Sequence, residues 1–157
     1  MANEVLKLAY DTASTTLRDQ DATLAGLRNR ATGLLGAVAI GTSFAAGVGL
    51  FKAEPGSTTT LPNWVGWLLF AMVIFIGASV TVTLWPTTDW KYGVRAAALL
   101  ANSSLDIDAV HQQAAAAMVT AAESNEKIIN RRFLTYRIGV IALILEVAML
   151  VIGVLLV

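Results

Sequence analysis

The chain has 157 residues, 56% of them hydrophobic and 14% charged, and its 11 basic and 11 acidic side chains leave a formal net charge of zero. A soluble domain is about a quarter charged. This composition therefore excludes a disordered chain and leaves more apolar surface than a water-soluble core absorbs, so the fold class expected is an all-α integral membrane protein. Zero net charge excludes a global attraction to nucleic acid, and the lack of cysteine excludes disulfides, Cys-based metal sites and redox motifs.

In chain order, residues 1–32 are expected to form a cytoplasmic helix. Leu6, Tyr10, Ala13, Leu17, Gln20, Leu24, Leu27, Ala31 and Leu34 follow at alternating steps of four and three, a heptad seam running into the apolar stretch behind it. The seam serves either an intramolecular bundle or self-association. Between Arg30 and Lys52 lie 21 residues without a charge. Within them, residues 33–51 read as span one, long enough at about 1.5 Å per residue to cross a hydrocarbon core of about 30 Å. The charged, helix-patterned chain ahead of it is too long for a cleaved signal peptide. Gly33, Ala37, Gly41, Ala45 and Gly49 recur at every fourth position. Such a row lets helix backbones approach in lipid, and its partner is either another span of the chain or another subunit.

Residues 52–63 are expected as a short external loop and residues 64–85, flanked by Pro62 and Pro86, as span two. Residues 86–136 return to the cytoplasm. There Trp90 to Ala101 reads as a short interfacial helix capped by Thr88 or Asp89, with Trp90, Val94, Ala97, Ala98 and Ala101 on one side. Asn102, Ser103 and Ser104 break it, and Ser103 or Ser104 caps a second helix with Asp106 and Asp108 in its first turn. Neither Pro nor Gly follows until Gly139, so that helix continues into span three, residues 137–157. Its expected inward row is Val110, Ala114, Ala117, Ala121, Ser124 and Ile128, then Ile138, Ala142, Leu145, Met149 and Ile152.

Three spans are the economical reading, because lipid requires every backbone group to be satisfied internally. Ten of the 11 basic residues fall on one side of this arrangement and Lys52 alone on the other. The positive-inside rule then predicts a multi-pass inner-membrane protein with a cytoplasmic N-terminus and an external C-terminus. Trp64 and Trp67 anchor the outer boundary, and Trp85, Trp90, Tyr92, Phe133 and Tyr136 the inner one.

No P-loop, dinucleotide fingerprint, metalloprotease motif or nucleophile elbow is present, so neither an enzyme nor a cofactor or metal is expected. Glu146 is the most informative residue, because a carboxylate near the centre of a span costs about 2.5–3.5 kcal/mol. Counted inward from Arg137 it lies about 13 Å deep, level with Thr42, Ser43 and Gly77. It either fastens span three to span one or lines a pore or proton path. Arg28, Arg30, Lys127, Arg131, Arg132 and Arg137 cluster at the inner boundary, as topogenic charges meeting anionic headgroups or as a site for a phosphate-bearing messenger. His111, the single histidine, is either a solvated imidazole or a ligand contact and pH sensor.

The stretch from Leu24 to Gly36 carries a polar amphipathic helix that ends in Arg30, Ala31 and the pair Leu34-Leu35. Together with Trp85-Pro86, Trp90-Lys91-Tyr92-Gly93, and Asn130-Arg131-Arg132 ahead of Arg137, it resembles the small bacterial membrane effectors of the Pycsar transmembrane group and the related SLATT domains. The acid expected shortly before the basic residue is replaced here by Arg28. The resemblance implies an oligomeric effector that is gated from its cytoplasmic helices, possessing a nucleotide messenger or protein partner, and that permeabilises the membrane in anti-phage defence. The competing readings are a non-catalytic structural or regulatory subunit of a larger membrane complex, and an ion or proton translocator using Glu146.

Overall fold

The computed structural model describes residues 2–47, 63–94 and 106–156. The regular elements among the described residues are three α-helices, α1 (Ala2–Gly47), α2 (Asn63–Leu84) and α3 (Ile107–Leu156). No proline interrupts α1 or α3, and several of their hydroxyls are absorbed locally: Thr15, Thr16, Thr23, Thr32, Thr42, Ser43 and Thr120 each donate to the carbonyl four residues back. The amide of Trp85 still bonds to the Thr81 carbonyl at 2.9 Å. Pro86, which has no N–H, comes next, so the helical ladder stops. At the start of α3 the Asp106 carbonyl accepts from the Val110 amide at 3.1 Å, and Asp108 stands in the first turn near the positive end of the helix dipole. The helix thus opens at Ile107, later than a cap at Ser103 or Ser104 implies, and those two serines lie outside the described residues. So do residues 48–62 of the expected span one and external loop, residues 95–101 of the expected interfacial helix, and Val157.

Contacts divide the chain into two units, Met1–Gly26 with Pro86–Arg131, and Leu27–Trp85 with Arg132–Val157. In the first, α1 and α3 run parallel. The Tyr10 and His111 rings lie 5.5 Å apart, and Gln20 Nε2 donates to the Ala122 carbonyl at 2.9 Å. The seam expected in α1 is the face that packs: Ala13 and Leu24 are buried, Leu6, Tyr10, Leu17 and Gln20 half-buried, and Asp11, Arg18, Asp19 and Asp21 exposed.

Residues 90–94 are not helical, which corrects the first turn of the expected interfacial helix. Two features hold this segment against the helices. Asn125, fully buried, accepts from the Lys91 amide at 3.0 Å and donates to the Lys91 carbonyl at 2.8 Å, so both backbone groups are taken by one side chain. Gly93 has φ +85°, and a Cβ there would stand 3.0 Å from Leu17 Cδ1 and 3.4 Å from Met118 Cγ. Gly93→Ala is therefore expected to destabilise the protein by about 1–2 kcal/mol through the left-handed backbone alone, with displacement of Leu17 added. A Gly93→Ala melting curve superimposing on that of the wild type would show that this segment is not seated between α1 and α3.

In the second unit α2 runs antiparallel to α3, and α1 parallel to it. A Cβ added at Gly139 would meet Leu34 Cδ2 and Ser79 Cβ, each at 3.3 Å, so its missing side chain sets how closely the three helices approach. Ala31, Leu34 and Val38 of α1, Ile76 and Val80 of α2, and Ala142 of α3 form the core, and farther along α2 and α3 a smaller cluster joins Val65 and Leu69 to Leu150. Away from these contacts the unit is apolar outside as well: Ile40, Phe70, Ile74, Ile141, Ile144 and Val151 are exposed. Among the described residues two helices, α2 and α3, are long and apolar enough to cross a membrane, and only 28% of the apolar window in each is buried.

The inward row of α3 differs from the expected one at four of its eleven positions. Ala114, Ala121 and Ala142 are buried as the spacing implies. Ala117, Ile138, Leu145 and Ile152, however, are exposed, and the next residue along, Met118, Gly139, Glu146 and Gly153, is buried in each case. A shift of one residue turns a helix by about 100°. Hydrophobicity favoured Ile138 and Ile152 over the glycines that follow them, whereas close packing favours the glycines, and burial of Glu146 keeps its carboxyl off the apolar exterior.

Candidate functional site

Met118, Asn125, Arg132, Gly139, Glu146 and Gly153 are spaced at sevens along α3, one column of a heptad turned inward. The polar members of this column are the chemically distinctive groups of the helix. Arg132 is 7% exposed. Its Nη1 donates to the Thr83 carbonyl at 2.9 Å and its Nη2 to the Trp85 carbonyl. Carbonyls in the last turn of a helix lack an intrahelical donor and form the negative end of its dipole. The planar guanidinium fork satisfies two of them at once. Burial, and secondly the nearby Arg28 charge, lower the Arg132 pKa from its ordinary value, yet a guanidinium remains charged.

Glu146 lies two heptads farther along the column and is 3% exposed, and its Oε2 is buried without a hydrogen-bond partner. Thr42 and Ser43, expected at the same depth, are exposed, and their hydroxyls donate to the Val38 and Ala39 carbonyls of their own helix, both at 2.8 Å. No hydrogen bond joins either of them to Glu146.

The small row of α1 faces away from the other described residues. Gly33 and Ala37 are exposed and Gly41 is half-buried, and a Cβ built at Gly33, Gly36 or Gly41 would meet nothing within 4 Å. Ala45 belongs to α1, and Gly49 lies outside the described residues.

The basic residues separate. Arg28, Arg30, Arg132 and Arg137 belong to the second unit, and Lys127 and Arg131 to the first. Arg28 is half-buried, and its Nε is out of solvent without an acceptor. Arg30 is exposed, and Arg137 stands over the Phe133 ring at 4.9 Å. In the first unit, His111 is half-buried against Tyr10 with its Nδ1 unpartnered. Among the described residues no group of three or more His, Asp and Glu side chains gathers where a metal ion could sit.

Asn125 was not among the residues the sequence singled out. Its signal was the spacing of seven that separates it from Arg132 and, two repeats farther on, from Glu146. Comparison with known protein families, with characterised proteins and with solved structures gives no match.

Proposed function

We propose that the chain is an oligomeric, three-span protein of the bacterial inner membrane that permeabilises the bilayer when its cytoplasmic helices respond to a ligand or partner. The observation that carries this reading is Glu146: a carboxyl 3% exposed, with one oxygen unpartnered, in a helix whose surroundings are apolar. A buried polar group without a partner is costly. Its retention is explained by water, a proton or a polar group supplied at that depth by assembly. The open face at Gly33, Ala37 and Gly41 supports close approach by a helix of another subunit. The exposed isoleucines and phenylalanines of the second unit suit lipid rather than water. The excess of Lys and Arg in residues 1–32 and 86–136 supports a cytoplasmic N-terminus and an external C-terminus. The resemblance to Pycsar transmembrane and SLATT effectors adds anti-phage defence as the setting and a nucleotide as a candidate trigger.

The test is the mass of the full chain purified in mild detergent, followed by ion flux after reconstitution into vesicles. The expected result is a closed homo-oligomer that conducts, with Glu146→Gln preserving its mass while changing flux or the pH dependence of flux. A single-chain mass, or a Glu146→Gln variant with wild-type flux at every pH, would overturn the reading. Co-purification in fixed ratio with a second protein would favour the alternative, a non-catalytic subunit whose open α1 face docks on a larger complex.

A further inference from the structure

In the first unit α1 and α3 leave a groove of about 540 Å³ between them. Val5 and Leu8 of α1 and Val119 of α3 line it, and they are 65%, 66% and 49% exposed. Val5 and Gln20, the first and last residues that α1 gives to the groove, are separated by about 22 Å of helix, or about four turns. The charged lining is wholly acidic: among the described residues it takes Glu123 and Glu126 and no basic side chain. The bond from Gln20 Nε2 to the Ala122 carbonyl sets the register of the two parallel helices. Glu123 and Glu126, which follow Ala122, therefore stand at the Gln20 end of the groove, and Val5 and Leu8 at the other. Gln20 Oε1 is out of water there without a donor. The groove is thus apolar toward Val5 and Leu8 and offers acceptors toward Gln20.

We propose that this groove docks an amphipathic helix of a partner protein, with an apolar stripe about four turns long and Lys or Arg at one end. A helix laid between two packed helices buries its stripe against both. Its cations meet Glu123, Glu126 and the open acceptor of Gln20. The same charges oppose a second copy seated groove to groove, because chains entering one membrane in the same direction would set Glu123 and Glu126 of each against those of the other. Docking rests on the groove alone. That this helix is the partner to which the cytoplasmic helices respond rests on the function proposed above.

The experiment uses the full chain in non-ionic detergent and two labelled synthetic helical peptides with the same leucine and alanine stripe, one carrying lysines at one end and the other glutamates there. Uptake by detergent is common to both, so the difference in fluorescence anisotropy between them reads the charges of the groove. Wild type is expected to bind the lysine peptide saturably and roughly tenfold more tightly than the glutamate peptide, and to lose that margin as salt screens the carboxylates. Glu123→Gln combined with Glu126→Gln should weaken the lysine peptide by roughly fivefold, the sum of two exposed ion pairs, and strengthen the glutamate peptide. Leu8→Asp should weaken both peptides, and helix content checks that this exposed position leaves the fold intact. Equal binding of the two peptides by wild type, or a lysine peptide bound as tightly by these variants as by wild type, would overturn the proposal. A wild type that binds neither peptide would overturn it too, and loss of oligomer mass in Leu8→Asp would then assign the groove to a second copy. Added to conducting vesicles, the lysine peptide should change the flux. Flux unchanged by a bound peptide would remove the groove from gating, whereas chains that never conduct would overturn the function proposed above and not the docking site, which the binding series decides by itself.

Discussion

Arg132→Met is expected to lower the stability of the protein by about 3–6 kcal/mol, since a hydrogen bond to a charged group contributes about 1.5–3 kcal/mol and Arg132 makes two. Methionine fills much of the same volume, so the loss measures the carbonyls of Thr83 and Trp85 left without a donor rather than a cavity. Thr83 is fully buried, and water cannot readily replace the guanidinium there. Arg132→Lys should recover part of the loss, because an ammonium on a flexible stem is a point charge and does not reproduce the fork. Equilibrium unfolding in detergent, followed by helix content, checks the series. Equal stability of wild type and Arg132→Met would show that Arg132 does not hold the end of α2.

The second large effect is expected at Asn125. Asn125→Leu nearly conserves size but strands the amide and carbonyl of Lys91. Two lost hydrogen bonds and the desolvation left behind amount to about 2–4 kcal/mol. The local consequence is more specific than the global one, since residues 90–94 are held by this side chain and by the fit at Gly93. Tryptic cleavage after Lys91 should rise by roughly tenfold for each 1.4 kcal/mol of local opening. Asn125→Asp separates the two bonds: a carboxylate still accepts from the Lys91 amide but repels its carbonyl. If cleavage at Lys91 is as slow in Asn125→Leu as in wild type, the segment is held by something other than this amide.

Both residues belong to the column on α3 that hydrophobicity alone passes over. A search for apolar residues at helical spacing finds Ala114, Ala121 and Ala142 correctly and then takes Ala117, Ile138 and Leu145 in place of Met118, Gly139 and Glu146. In a segment as uniformly apolar as residues 138–156, the pattern carries almost no directional information, because every face satisfies it. The polar and small residues carry the direction instead. Glu146 was legible because a carboxylate in such a segment is costly wherever it points. The same reasoning applied to Asn125 and Arg132 would have found the column, but nothing local marks either as buried when the surrounding sequence is polar.

The small row of α1 illustrates the opposite limit. Its spacing is plain in the sequence, yet whether Gly33, Ala37 and Gly41 meet a helix of the same chain depends on where that helix lies. Their backbone is left open within the described residues. The composition, the helical character of the chain, the seam of α1 and the stop of α2 before Pro86 were determined by the sequence itself. Each depends on local chemistry: side-chain polarity, a period close to 3.6 residues, and the missing N–H of proline. The inward face of α3, the Asn125 clasp on Lys91, the non-helical course of residues 90–94 and the use of Arg132 as the cap of α2 were decided only by tertiary structure. Each requires groups tens of residues apart to meet, and which of them meet depends on how the helices pack.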